Sequence, residues 1–150
     1  MDARNPDAMI FIKRLLVGDR EPDEIINDNV DGIDVPYLMR WWVKDKGEHG
    51  DNIYLHCFVR SDYDRALHDH PRDSVSVILD GEYLEHTPEG TFHRKRGDVV
   101  TRVAASLHRI ELISGPTWTL FIVGKKYREW GFACPDGWVH WSKFTEDRCR

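Results

Sequence analysis

The sequence predicts an all-β fold, a small barrel or sandwich, preceded by a short helical segment. Three observations support this prediction. At 150 residues the chain is long enough for one domain with its own core. From residue 35 onward the apolar pattern has strand length, and each segment is bounded by Gly, Pro, Asp or Ser. Short strands that recur at such spacing are typical of a β-sandwich or a β-barrel.

Residues 1–34 are predicted to form a helical and irregular N-terminal extension. Asn5 and Pro6 suit the N-cap and the first position of a helix, and Gly18 suits its end. A second, short helical turn is predicted around "PDEII" (22–26). Residues 35–150 are expected to form the barrel within the same globular unit.

The predicted strands alternate in polarity, and in one of them, residues 52–60, the pattern assigns the side chains to faces. Ile53 and Leu55 share one face, and Tyr54 and His56 share the other. On this pattern Cys57 is expected to be a buried small hydrophobic residue and His56 a core histidine. The other predicted strands are 37–43, 74–86, 97–103, 107–113 and 117–124. The Trp-rich tail "REWGFACPDGWVHW" (128–141) is expected to be packed coil or an edge strand.

Charge and cysteine content limit the classes of partner. A net charge of −5, and a densest basic stretch at 93–96 that is expected to be a solvated loop, predict no nucleic-acid surface. Three cysteines without a CxxC spacing predict neither a disulfide framework nor a thiolate zinc site. The apolar stretch near the N-terminus is too short for a membrane span and lacks the charge order of a signal peptide. A cytoplasmic location without a membrane partner is therefore expected.

The stretch "ALHDHPRDSVSVILDG" (66–81) suggests a metal site. His68 and His70 leave the same face of an extended chain, about 6.6 Å apart, which lets both rings converge on one ion. His108 stands at the head of another predicted strand, "SLHRIEL", which could cross opposite them. Three neutral nitrogen donors with open positions beside them are typical of a catalytic metal site. Ordinary surface or core histidines are the alternative interpretation.

Two segments resemble the motifs of the cupins. "HDHPRDSVSVILDG" is similar to the first cupin motif, and "GDVVTRVAASLHRIEL" is similar to the second. The matching positions are His68, His70, Gly81, Gly97 and His108. The resemblance implies a cupin-type double-stranded β-helix, a jelly-roll barrel, that holds a metal ion through its histidines.

Ser74 stands where cupins commonly carry a glutamate ligand, and Val103 and Ala105 replace the Pro and Gly of the second motif. Three-histidine sites occur in the thiol dioxygenase branch, which this chain resembles in "LHDHPRDS", "LHRIE" and "YLMRWWV" over roughly residues 37–125. That resemblance implies Fe²⁺ as the metal and makes Arg40 the counterpart of an arginine that binds the substrate carboxylate. The Cys–Tyr cross-link of the animal enzymes has no counterpart here.

Other polar residues complete the predicted site. Arg40 and Arg60 are candidates to hold a substrate carboxylate, because guanidinium groups bind carboxylates bidentately. Ser74 and Ser76 share a face and are candidates to hydrogen-bond substrate. Asp73 is either an alternative ligand or a strand cap. Asp69, by alternation, is expected to face solvent rather than to orient a ligand from behind.

Three functions stay open from the sequence. The first is an Fe²⁺ dioxygenase that uses O₂ and acts on a small anionic substrate, with a thiol as one candidate. The second is an isomerase or lyase in which the ion is a Lewis acid. The third is a non-catalytic ligand- or metal-binding protein. Zn²⁺, Ni²⁺ and Mn²⁺ are the alternatives to Fe²⁺, and a homodimer is a candidate assembly.

Overall fold

The computed structural model describes residues 3–62, 66–145 and 149. Within them the chain forms helix α1 (Pro6–Val17), a 3-10 turn (Trp141–Lys143) and twelve strands. The strands, in chain order, are β1 (Glu24–Val30), β2 (Ile33–Lys44), β3 (Asn52–Phe58), β4 (Leu67–His68), β5 (Ser74–Asp80), β6 (Glu82–Thr87), β7 (Gly90–Lys95), β8 (Val99–Arg102), β9 (Arg109–Leu112), β10 (Thr117–Val123), β11 (Gly131–Cys134) and β12 (Gly137–His140).

The strands pair antiparallel in three sheets. A six-stranded sheet has the order β1-β2-β3-β10-β5-β8, and two three-stranded sheets have the orders β12-β11-β4 and β7-β6-β9. The predicted all-β fold with a short N-terminal helix is confirmed.

The predicted strand 74–86 is divided at Gly81, where the chain passes from the six-stranded sheet to a smaller one. Gly81 has a φ of 86°, and a Cβ there would lie 2.8 Å from the carbonyl oxygen of Pro116. Only glycine fits this backbone conformation and this close approach.

Helix α1 forms where the sequence predicts it. The Asn5 side chain accepts a hydrogen bond from the Ala8 backbone N–H at 3.1 Å, and Gly18, with a φ of 67°, follows the last helical residue. The predicted helical turn at 22–26 is wrong, because Glu24–Val30 is strand β1. Its backbone groups bond to β2 in a hairpin, and β2 in turn pairs with β3, so the large sheet extends into the N-terminal segment.

A second correction concerns the basic stretch at 93–96. His93, Arg94 and Lys95 belong to β7, which pairs with β6, rather than to a loop. Nearly all of the β7 side chains are exposed, so this strand has no alternation of apolar and polar residues for the sequence to display. In the C-terminal tail, β12 lies at the edge of its sheet.

The apolar core has two parts. An inner cluster, which includes Leu38, Ile78 and Tyr83, lies between the six-stranded sheet and the β7-β6-β9 sheet. An outer cluster packs α1 against the other face of the large sheet through Met9, Trp41, Leu55 and Cys57, among others. Strand β3 is therefore buried on both faces, as the expected core positions of Cys57 and His56 require.

Two further features concern the cysteines and the membrane. Cys134 and Cys149 form a disulfide, which the sequence analysis did not expect. The two residues meet only because the tail folds back along β11, and a separation of 15 residues has no local signature. Among the described residues, no helix is long and apolar enough to cross a membrane.

Candidate metal centre

Three histidines meet at the inner wall of the barrel. His68, in β4, and His108, just before β9, exchange backbone hydrogen bonds of 2.9 and 3.0 Å. The backbone N–H of His70 donates to the carbonyl of Ala104 at 2.9 Å, which fixes the second histidine beside the same segment. The three ring centroids lie 4.9–5.1 Å apart, and one ring nitrogen from each histidine lies within 4.8 Å of the others.

This arrangement fits a divalent cation. Two nitrogens bound to one ion at about 2.1 Å each lie about 3.5 Å apart in a tetrahedral site, so small ring rotations would bring the three onto one ion. Burial lowers the pKa of His68 to about 3, and it lowers the pKa of both His70 and His108. The imidazoles are therefore neutral near pH 7, which is the form that binds metal. The structure brings the three predicted ligands together, and their ligation of a metal stays a prediction.

Glu85, on β6, is a site residue that the sequence analysis missed. Its side chain is 2% exposed, and its Oε2 lies 2.5 Å from Nδ1 of His108 and 2.5 Å from Nε of Arg102. Its Oε1 accepts from Nε of Arg94 at 3.0 Å. Although burial raises the pKa of Glu85, the hydrogen bonds from His108 and Arg102 hold it well below its usual range. A carboxylate at Nδ1 places the proton there and leaves Nε2 of His108 for an ion.

A third correction concerns Asp69, which is 3% exposed rather than solvent-facing. Its Oδ1 accepts from the backbone N–H of Gly131 at 2.8 Å, and its Oδ2 accepts from Nε1 of Trp138 and pairs with Arg128, both at 3.0 Å. As the alternation predicts, its side chain points away from His68 and His70, but the C-terminal tail covers that side of the strand. Asp69 thus anchors the tail behind the site.

The three-histidine cluster faces a cavity of about 1410 Å³. All four residues predicted to bind substrate line this cavity, namely Arg40, Arg60, Ser74 and Ser76. The structure therefore brings these four candidates to the same cavity as the histidines, and their contact with a substrate stays a prediction.

The polar candidates differ in their partners. Arg40 Nε donates to Nε2 of His56 at 2.9 Å, and its guanidinium lies over the ring of Tyr54. Arg60 is more exposed and pairs with Asp28 at 3.6 Å. Ser76 Oγ accepts from Arg102 at 2.9 Å, which ties it to the Glu85 network.

Aromatic residues of the tail close the metal end of the cavity. The rings of Trp130 and Phe132 lie 6.1 and 6.0 Å from the ring of His68. Trp141 stacks on Trp130, and Phe144 stacks on Phe132 at 3.8 Å. These aromatic rings therefore lie on the His68 side of the histidine cluster.

Scans against protein-family models and against curated proteins find no match to this chain. Solved structures do match its fold. A Klebsiella pneumoniae protein with a double-stranded β-helix domain superposes with a TM-score of 0.51 at 16% identity, over 64% of this chain and 84% of that one. A sugar phosphate isomerase from a cupin superfamily, from Silicibacter pomeroyi, superposes with a TM-score of 0.52 at 12% identity, over 75% of this chain and 83% of that one. The fold is a cupin-type double-stranded β-helix.

The cupin neighbours differ in activity. A further similar structure, FeII HppE, superposes with a TM-score of 0.52 at 16% identity, over 69% of this chain and 58% of that one. Identities this low establish the shared cupin fold and leave the reaction of this chain to the residues of its own site.

Asp73, which precedes Ser74, is hydrogen-bonded at the start of β5. Oδ1 of Asp73 accepts hydrogen bonds from the backbone N–H of Ala104 at 2.8 Å and from the hydroxyl of Tyr127 at 2.7 Å. Asp73 is exposed, and it is not among the residues that could share an ion with the histidines. These bonds fix the start of β5, as a strand cap would, and ligation of an ion by Asp73 stays a prediction.

Proposed function

We propose that this cupin is an Fe²⁺-dependent dioxygenase that acts on an anionic organic substrate, with a thiol carboxylate as the first candidate. The observation that carries the proposal is the donor set. It contains three neutral imidazoles, and no carboxylate or thiolate joins them among the residues that the structure describes. Such a set leaves the charge of a divalent ion uncompensated, which favours anionic substrate groups.

Each group has a role in this proposal. His68, His70 and His108 hold the ion, which when bound supplies a site that activates O₂ and attracts the anionic substrate. Glu85 keeps the ring of His108 in one tautomer. Arg40 attracts the substrate carboxylate at the cavity wall through its positive charge and its Nη2, since its Nε donates to His56 and its Nη1 pairs with Glu24 at 3.5 Å.

The test compares the untagged wild-type protein with His108→Ala. We expect iron by elemental analysis in the wild type, and O₂ uptake when cysteine or 3-mercaptopropionate is added. Both signals should be lost in His108→Ala, whereas His86→Ala, outside the cavity, should keep them. Iron-loaded protein that consumes no O₂ with either thiol would contradict the dioxygenase proposal with these substrates.

A second candidate is a metal-dependent isomerase or lyase. It is favoured by Asp62, a carboxylate that lines the cavity and whose pKa burial raises to about 7. Isomerases and lyases move protons at the substrate, and a group that titrates near neutral pH suits this task. Zinc or nickel in the purified protein, with turnover of a keto acid or sugar and no O₂ uptake, would favour this candidate.

A further inference from the structure

Asp62 is fixed by two hydrogen bonds to β9, the strand that begins directly after His108. Its backbone N–H donates to the carbonyl of Ile110 at 2.8 Å, and its Oδ2 accepts from the backbone N–H of Ile110 at 2.6 Å. Ile110 lies two residues beyond His108, so the Cα atoms of these two residues are about 6.6 Å apart in an extended strand. Asp62, Ile110 and His108 all line the cavity.

Tyr37 holds the other carboxylate oxygen. Its hydroxyl donates to Oδ1 of Asp62, and its ring packs edge-on against Phe58 at 5.9 Å between centroids. Tyr37 also lines the cavity. The two hydrogen bonds fix the plane of the carboxylate, and within the described part of the chain no cation lies within 4.0 Å of it to form an ion pair.

The charges around Asp62 set its proton affinity. Its pKa is raised to about 7, mainly by burial and also by the negative charge of Asp28. The hydrogen bond from Ile110 opposes this, as do the more distant charges of Arg109 and Arg102. A carboxylate with this balance exchanges its proton near neutral pH, as a general base must.

We propose that Asp62, positioned by Tyr37, is the general base that accepts the proton of the substrate group binding at the three-histidine site. This rests on the proposed metal site but not on the choice between dioxygenase and isomerase. In the step, the X–H bond of the substrate thiol or hydroxyl breaks, and its electron pair stays on the donor atom. An O–H bond forms on the Asp62 carboxylate, and the same proton can return to the product.

A carboxyl ¹³C NMR titration tests this proposal on the protein with and without Zn²⁺, using the metal alone as the probe. We expect one aspartate to titrate near pH 7 without zinc, and its midpoint to fall by at least one pH unit when zinc is bound. A base that acts beside the ion must be coupled to its charge. Asp62→Asn should abolish this titration. Asp28→Asn, which removes a second carboxylate in the same cavity, should keep the titration but lower its midpoint, because Asp28 raises the pKa of Asp62.

Tyr37→Phe tests whether the Tyr37 hydroxyl sets the pKa of Asp62. Loss of its hydroxyl removes a hydrogen bond to the ionised form, so the Asp62 midpoint should rise. An ordinary aspartate midpoint near 4, or the same midpoint with and without bound zinc, overturns the proposal while the metal site stands. A wild-type protein that binds no zinc overturns the metal site itself, and the assignment of Asp62 with it.

Discussion

Glu85, on β6, and His108, just before β9, are joined by a 2.5 Å contact between Oε2 and Nδ1. The carboxylate lies on the side of the imidazole away from the predicted ion. The barrel therefore keeps a buried acidic residue, but in contact with a predicted ligand and two arginines rather than among the histidine nitrogens that could reach a metal.

Glu85→Gln should weaken metal binding. The amide preserves the shape of the side chain but removes the charge that stabilises the ring orientation of His108 and balances Arg102. We expect the zinc affinity to fall about 10-fold to 100-fold, as for other residues that orient a metal-bound histidine. Competition with a coloured chelator measures this change.

Glu82→Gln is the matched control, because Glu82 lies on the same strand and pairs with the exposed His93. Its zinc affinity should equal that of the wild type. Equal affinities for all three proteins would show that Glu85 serves the stability of the barrel and not the metal site.

The histidine cluster should make the metal-free protein sensitive to acid. The pKa of His68 falls from 6.5 to about 3 on folding, because burial disfavours the charged ring. Between these values the unfolded chain binds a proton that the folded chain does not, so stability falls as the pH is lowered. For His68 the loss is at most about 1.4 kcal/mol per pH unit.

Urea unfolding of the metal-free wild type and of His68→Gln at pH 7.5 and 5 isolates this effect. The comparison is needed because Asp62 acts in the opposite direction. Its pKa is raised in the folded state, so its protonation increases the stability of the fold as the pH falls from 7 towards 4. The variant should lose less stability than the wild type over this range. The same loss in both proteins would mean that His68 is protonated in the folded state.

The Cys134–Cys149 disulfide should stabilise the aromatic tail. A crosslink that closes a loop of 15 residues contributes about 3 kcal/mol in the chain-entropy estimate. Reductant should therefore lower the Tm of the wild type and leave that of the double variant Cys134→Ser/Cys149→Ser unchanged. Three free thiols per chain in untreated protein, counted by alkylation and mass spectrometry, would contradict the crosslink.

Local patterns predicted much of this fold, because alternation and turn residues mark strands that have one buried face. They did not predict β1 or β7. The sequence around Glu24 is compatible with a helical turn, and the strand exists through its pairing with β2. In β7 the exposed side chains carry no periodic signal.

His68 and His70 could be found from the sequence because their spacing is itself the geometric requirement, and His108 could be found from its place in the second motif. Glu85 and Asp62 could not, since each acquires its role from a partner on a distant strand, His108 in one case and Ile110 in the other. Asp69 shows the limit of alternation. The pattern gave the correct direction of its side chain, but not the tail that buries it there.

X-ray absorption at the metal edge of the zinc- or iron-loaded protein tests the central claim most directly, because it counts the imidazoles around one ion. The account predicts three imidazole nitrogens at about 2.1 Å, and a loss of this signal in His108→Ala. A spectrum with fewer than three imidazoles, or one that His108→Ala leaves unchanged, would contradict a metal centre built on His68, His70 and His108.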